Sequence, residues 1–392
     1  MNLIIKREQL YFVGLFLYVI RNFAIYAGSF LHGAVLTLLV NTALACWFFC
    51  MFMQRNSLKQ LAINLFLLAL TYINAEVMGS WNTTAVILMI IASKDISFKK
   101  IVRFIMRINI TLLTSIILIY FACFIMGNAT ITQVREVDGE VVLRHQFFFN
   151  NANGFSMYFI FTVLMYVYVN YERTSKWKLY TILALAAGFI YLFPNTRTVC
   201  ILSIVFILID WLRGRRVGKV LQWICGNMFL VCFCVTLIFL VIFIKNPYSS
   251  IGAVVNKMMN GRLTMVAGAL ELYDLKLMGQ EIINEKVYSP KLGYYKLYLD
   301  NFYGMLVIRY GIVMTVMFGY YFIKTGRRLL RDNQWIELLL FALVFIFGIS
   351  ESMALEIYPV FPLLFMRESI ILDRVKNVRD KEKVHKLGNK MI

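Results

Sequence analysis

The stretch VLQWICGNMFLVCFCVTLIFLVIFI, Val220 to Ile244, runs for 25 residues without a charge. A helix of that length covers the roughly 30 Å of hydrocarbon in a bilayer. Eleven further apolar runs accompany it, at roughly 8–28, 33–53, 58–78, 80–93, 101–127, 154–172, 177–193, 197–212, 302–323, 335–350 and 357–372. The fourth, eleventh and twelfth are short or interrupted, but several runs of about 18 to 25 residues cannot all be the core of one soluble domain. The chain is 60% hydrophobic, against roughly half in an ordinary soluble domain. These runs predict an all-α, polytopic integral membrane protein of about twelve transmembrane helices. It forms a single domain over 1–372, with a basic tail at 373–392. Lys6 and Arg7 precede the first run and no small-residue cleavage site follows it, so the first span is expected to be retained.

A net charge of +19 would suit a nucleic-acid partner, but its distribution assigns it elsewhere. Lys6 and Arg7, Arg55 and Lys59, Lys94 to Arg103, Arg173 to Lys178, Arg213 to Lys219 and Lys324 to Arg331 occupy alternate loops. With Arg367 and the tail they make about 27 of the 40 Lys and Arg. The positive-inside rule makes that side cytoplasmic, with both termini inside. The basic tail then fixes topology and meets anionic lipid headgroups. The seven cysteines all lie in apolar runs and are expected as free thiols, and the three histidines are far apart, so no metal-ligand spacing is present.

The opposite side carries two long polar segments, about 127–153 and 245–301, and loops of more than about 15 residues are usually functional. In the first, REVDGEVVLR (Arg135 to Arg144) alternates around Asp138-Gly139 and predicts a β-hairpin. Asp138 and Glu140 could hold a divalent cation, although a turn beside a solvated strand explains them as well. In the second, Leu263, Val266, Leu270 and Leu277 recur at helical spacing and predict an amphipathic helix lying on the membrane. Arg262 would stand in its first turn, beside free N–H groups that favour anions.

Cations in or near hydrocarbon are costly unless they snorkel or pair. Snorkelling accounts for Arg21, Arg103 and Arg107. Arg197, in FPNTRTVC, and Arg309, about two turns into its span, are harder to place in water. The carboxylates Glu76, Asp300, Glu351 and Glu356 lie near outer span ends. Together these groups outline a polar pocket at the outer surface, although interhelical ion pairs would give a similar pattern. Arginine pairs bidentately with phosphate oxygens, so outward-facing arginines suit a lipid-linked diphosphate, and a nearby acid could deprotonate an attacking hydroxyl.

Four segments carry a family resemblance: NNANGF (Asn150 to Phe155), TRT (Thr196 to Thr198), NGR (Asn260 to Arg262) with LMGQ (Leu277 to Gln280), and LDNFYGMLVIRYGIV (Leu299 to Val313). In order and spacing the set resembles the bacterial O-antigen polymerase and ligase superfamily, and within it the Wzy-type polymerases of surface polysaccharides. Ala152 stands where the family usually has proline, which leaves the turn before the sixth span less fixed. Asp300 stands where ligases often have histidine. The resemblance implies a metal-independent glycosyltransferase without cofactor, of GT-C-like build, with its large outer loop between the ninth and tenth spans. Its substrate would be undecaprenyl-diphosphate-linked oligosaccharide at the bacterial cytoplasmic membrane. A flippase and a chain-length regulator of the same pathway are the expected partners. On that reading Arg197 and Arg262 bind diphosphate, Asp300 is the first choice of base, with Glu351 and His145 behind it, and Asn153, Asn301, Arg309 and Tyr303 line the substrate site. For the asparagines, helix capping is the competing explanation. A ligase, or a flippase of the same lipid-linked sugar, remains an alternative function.

Overall fold

A computed structural model describes residues 6–28, 31–127, 132–137, 140–259, 261–283, 286–289, 292–352 and 361–371. Eight helices follow the first eight apolar runs one for one: α1 (Arg7–Tyr26), α2 (Gly33–Phe52), α3 (Leu58–Met78), α4 (Asn82–Ala92), α5 (Phe98–Ile125), α6 (Ala152–Asn170), α7 (Lys176–Leu192) and α8 (Arg197–Leu212). The ninth run is divided between α9 (Gly218–Gly226) and α10 (Met228–Lys245). Beyond it come α11 (Ser250–Met258), α12 (Arg262–Leu272), α13 (Phe302–Ile308), α14 (Gly311–Arg331) and α15 (Trp335–Gly348). In the twelfth run the described residues form a 3₁₀ segment, Phe361–Met366, and one turn of helix, α16 (Arg367–Ile370).

Among the described residues, α1, α2, α3, α5, α6 and α10 are each long and apolar enough to cross a membrane. The molecule is a mostly helical protein built for a membrane. Leu38, Phe66, Leu118 and Ile238 are large, apolar and more than half exposed, and lie on helices that bury their other faces. Such outward apolar surface is what lipid covers. By contrast α6 and α15 are buried on nearly every side and form the centre of the bundle.

The basic loops meet at one end. Lys94 Nζ donates to Arg55 O at 2.7 Å, and Lys99 pairs with Glu172 at 2.8 Å. Arg7 donates to Lys94 O, Lys100 pairs with Glu8, and Arg328 pairs with Glu368. Arg367 Nη1 reaches Ser93 O and Ile96 O just beyond the C-terminus of α4, an end that favours cations. The alternating charge pattern in the sequence thus becomes a shared face of the fold.

The other end holds the polar segments. Strands β1 (Thr132–Val137) and β2 (Glu140–His145) pair antiparallel, with Val137 opposite Glu140, as the alternation around Asp138-Gly139 requires. Asp138 lies outside the described residues. A second small hairpin joins β3 (Lys286–Ser289) to β4 (Gly293–Lys296). The helix expected over 260–279 ends at Leu272, and its apolar face is spent on protein and not left free for a membrane surface: Leu263, Val266 and Ala269 are buried, with α12 packed on α10 and α13. Leu277 is exposed in a non-helical stretch that pairs elsewhere.

That stretch explains why the tenth run is not one helix. Between α13 and α14 the chain turns at Gly311, with φ +85°, against Gly279, with φ +86°. Gln280 N donates to Arg309 O at 2.9 Å, Ile312 N to Lys276 O at 3.1 Å and Val313 N to Leu277 O at 3.0 Å. Asn74 Nδ2 of α3 closes the seam on Met278 O and Tyr310 O. Broken backbone inside a membrane domain persists only where protein satisfies its polar groups. A Cβ on Gly311 would stand 2.3 Å from Gly279 N. Gly311→Ala is therefore expected to cost about 2 kcal/mol or more, through positive φ and the backbone clash together. Melting in detergent beside Gly188→Ala, a helical site with open space around it, checks this.

Candidate functional site

At the end opposite the basic loops, side chains from six separate segments converge. Arg262 is the first residue of α12, set by a left-handed turn at Gly261 (φ +77°). Its Nη2 lies 3.3 Å from Glu351 Oε1 and 3.8 Å from Asp300 Oδ2. Asn153 Nδ2, in the first turn of α6, donates to the same Glu351 oxygen at 3.4 Å. Asn153 Oδ1 accepts from Arg144 Nη2 at 2.7 Å. Arg144, at the end of β2, also donates to Thr196 Oγ1 at 3.1 Å and from Nε to Pro194 O at 2.8 Å. Ser156 Oγ completes the chain on Thr196 Oγ1 at 2.9 Å.

The backbone is shaped to present these groups. Asn151 Oδ1 accepts from Gly154 N and caps α6, so of the three asparagines near the start of α6 one is a cap and Asn153 belongs to the site. The turn before α6 is firmly held despite Ala152. Phe147 and Phe148 take positive φ, and Phe147 and Phe149 are buried in an aromatic cluster with Phe155. Asn301 caps α13 by accepting from Gly304 N, and its Nδ2 donates to Ile349 O at 2.8 Å. That bond ties the segment bearing Asp300 to the one bearing Glu351.

Burial sets the electrostatics. The side chains of Arg262, Glu351 and Asp300 are 10%, 7% and 25% exposed. Burial, and then the Asp300 charge, push the Glu351 carboxyl up to about 8, while Arg262 and Arg144 pull it back. Asp300 is also raised by burial, with Arg262 opposing. Two arginines and two acids leave the cluster with no large net charge. Arg262 Nε is buried without a hydrogen-bond partner among the described residues, and so is Arg309 Nε. A buried donor without a partner needs an explanation, and an anionic ligand is one.

The structure therefore joins Asp300, Glu351, Arg262 and Asn153, with Asn301 beneath them. It does not join the others. His145 shares a hydrogen bond of 2.6 Å with Tyr120 OH among aromatic rings, and burial lowers its affinity for protons. Tyr303 is core, its hydroxyl donating to Phe345 O at 2.7 Å. Arg309 is half-buried at the end of α13, where its carbonyl is used in the seam. Arg197 opens α8 exposed, making no side-chain hydrogen bond or ion pair among the described residues. The arginine buried against the turn before α8 is Arg144, bonded to Pro194 and Thr196, which reading by motif passed over because it sits at the end of a hairpin strand. Glu76 is exposed, and Glu356 and Asn260 lie outside the described residues.

This contrast is testable. Arg144→Ala strips several bonds from a buried network and is expected to cost about 3 kcal/mol or more. Arg197→Ala, at an exposed helix start, is expected to stay within about 0.5 kcal/mol of the parent. Denaturation of the two variants in one detergent checks both.

No family model, curated protein or solved structure matches the chain.

Proposed function

We propose that this protein is a polymerase that joins undecaprenyl-diphosphate-linked oligosaccharide repeat units into a surface polysaccharide, at the outer face of a bacterial cytoplasmic membrane. The observation that carries the reading is the buried Arg262 guanidinium, held between two carboxylates at the end of the bundle away from the basic loops. The chain crosses the bilayer about twelve times, with both termini on the basic, cytoplasmic side. The acceptor hydroxyl gives its proton to Asp300 and attacks the donor sugar at C1. The C1–O bond to the diphosphate breaks, and the leaving electron pair settles on phosphate oxygens. Arg262 stabilises that charge from within the site, and Arg197 meets the diphosphate from solvent at the start of α8. Asn153 and Asn301 fix the acids in position. The guanidinium groups take the place a divalent ion has in other diphosphate chemistry.

The decisive assay is purified protein with a synthetic lipid-linked repeat unit. A ladder of oligomers is expected, and it should persist in chelator. Absence of any ladder, with the repeat unit instead moved across the bilayer, would make the protein a flippase. Transfer in one block to another lipid would make it a ligase.

A further inference from the structure

We infer that the basic end carries a second binding site, for the phosphate of an anionic phospholipid. This site is independent of the proposed polymerase chemistry. A cavity of about 410 Å³ opens between the start of α7 and the end of α8, lined by Lys176, Trp177, Tyr180, Asp210, Trp211 and Arg213. Its two cations are short of partners. The Arg213 guanidinium lies over the Trp335 ring at 5.1 Å and makes no hydrogen bond or ion pair among the described residues. Lys176 Nζ lies over the Tyr171 ring at 5.4 Å and makes one long ionic contact, 3.5 Å, to Asp210, with its side chain about half exposed. Asp210 does not need it: Tyr171 OH, Tyr180 OH and Trp335 Nε1 donate to its carboxylate at 2.5, 2.6 and 2.6 Å. That carboxylate is fully buried and already accepts three bonds from neutral donors, so Lys176, about half exposed, and Arg213 keep N–H groups for the cavity.

The walls identify the ligand. Arginine takes phosphate oxygens bidentately and lysine adds a point charge. Trp177 is 74% exposed and Trp211 46%, and tryptophan settles at the level of lipid headgroups. Basic pockets between membrane helices on the cytoplasmic side hold phospholipid headgroups. Trp211 is already covered on one face by Arg215, at 3.9 Å, but Trp177 touches only the edge of Tyr180, and an aqueous phosphate would satisfy the cations while leaving most of that ring uncovered. A lipid satisfies both. Once bound, it joins α7 and α8 to the start of α15 through Arg213 and Trp335.

The test is the full chain in nanodiscs of phosphatidylcholine alone, and of phosphatidylcholine with an equal part of phosphatidylglycerol. The parent protein is expected to melt about 2 °C or more higher in the second. Lys176→Gln with Arg213→Gln is expected to lose that increment. Lys176→Gln alone, which spares the Arg213–Trp335 contact, should lose about half of it. The control pair Arg173→Gln with Lys178→Gln removes the same charge from exposed positions outside the cavity and should keep the increment. Each variant is compared with itself across lipids, so a loss of fold stability does not enter. The proposal is overturned if the parent shows no increment or if the control pair loses as much as the cavity pair. It is equally overturned if inorganic phosphate added to phosphatidylcholine discs reproduces the shift.

Discussion

Arg262→Ala is expected to lower the rate of ladder formation by about 10²- to 10³-fold, the loss typical for one preorganised donor to developing negative charge. The geometry makes the effect this large. Among the described residues Arg262 is the cation paired with both acids, and its Nε is buried without a hydrogen-bond partner. Removing it also leaves the part-buried Asp300 charge without its cation, so the variant should be less stable by up to about 3 kcal/mol. Arg262→Lys separates the two effects. It restores a charge near Glu351 and much of the stability, but it cannot grip a diphosphate through two parallel N–H bonds, so most of the rate loss should remain. Single-turnover measurement with saturating lipid-linked substrate, beside a melting curve, reads both. If Arg262→Lys recovers the rate as fully as the stability, the residue acts only as a structural ion pair.

Much of this architecture was legible in the sequence, because the physics is one-dimensional: a run of apolar residues is either long enough for a bilayer or it is not. The first eight runs fall on α1 to α8, and the alternating basic loops gather at one end. Where the reading erred, a tertiary contact outweighed the run. The stretch from Phe302 to Ile323 is apolar throughout, apart from Arg309, and reads as one helix. It breaks at Gly311 because residues 276–280, distant in sequence, supply the hydrogen bonds that make the break tolerable. At the other limit, α14 continues to Arg331 past the end of its apolar run, since Thr325, Gly326 and Leu329 form a buried stripe among the charges. The site divides in the same way. Asp300, Asn153 and Glu351 could be found because each is a polar residue at a span end, and Arg262 because it opens the helix of the outer loop. Arg144 could not be told from any other strand-end arginine until folding placed it under Asn153. Arg197 looked costly on a short turn, yet the turn leaves it exposed.

The two acids should give the reaction a pH profile with separate causes on each limb. Both approach the same nitrogen, Arg262 Nη2, and the Asp300 charge is one reason the Glu351 carboxyl is pushed up to about 8. Asp300 therefore ionises first and Glu351 keeps its proton through neutral pH, a division that marks Asp300 as base and Glu351 as hydrogen-bond donor. Ladder formation should rise as Asp300 deprotonates and fall as pH passes about 8 and Glu351 loses its proton. Asp300→Asn should cost about 10²- to 10⁴-fold at every pH, as for other general bases. Glu351→Gln carries N–H donors at all pH values, so it should keep most of the activity at neutral pH and abolish the alkaline fall. Stability follows the same group with a definite sign. Because the folded carboxyl is raised, its contribution is present in full below the ordinary range of glutamate and is lost as pH rises through about 8. Glu351→Gln should remove that slope, so the melting temperatures of parent and variant should diverge with rising pH. An unchanged alkaline limb in Glu351→Gln, together with full activity in Asp300→Asn, would move the proton transfer away from this pair altogether.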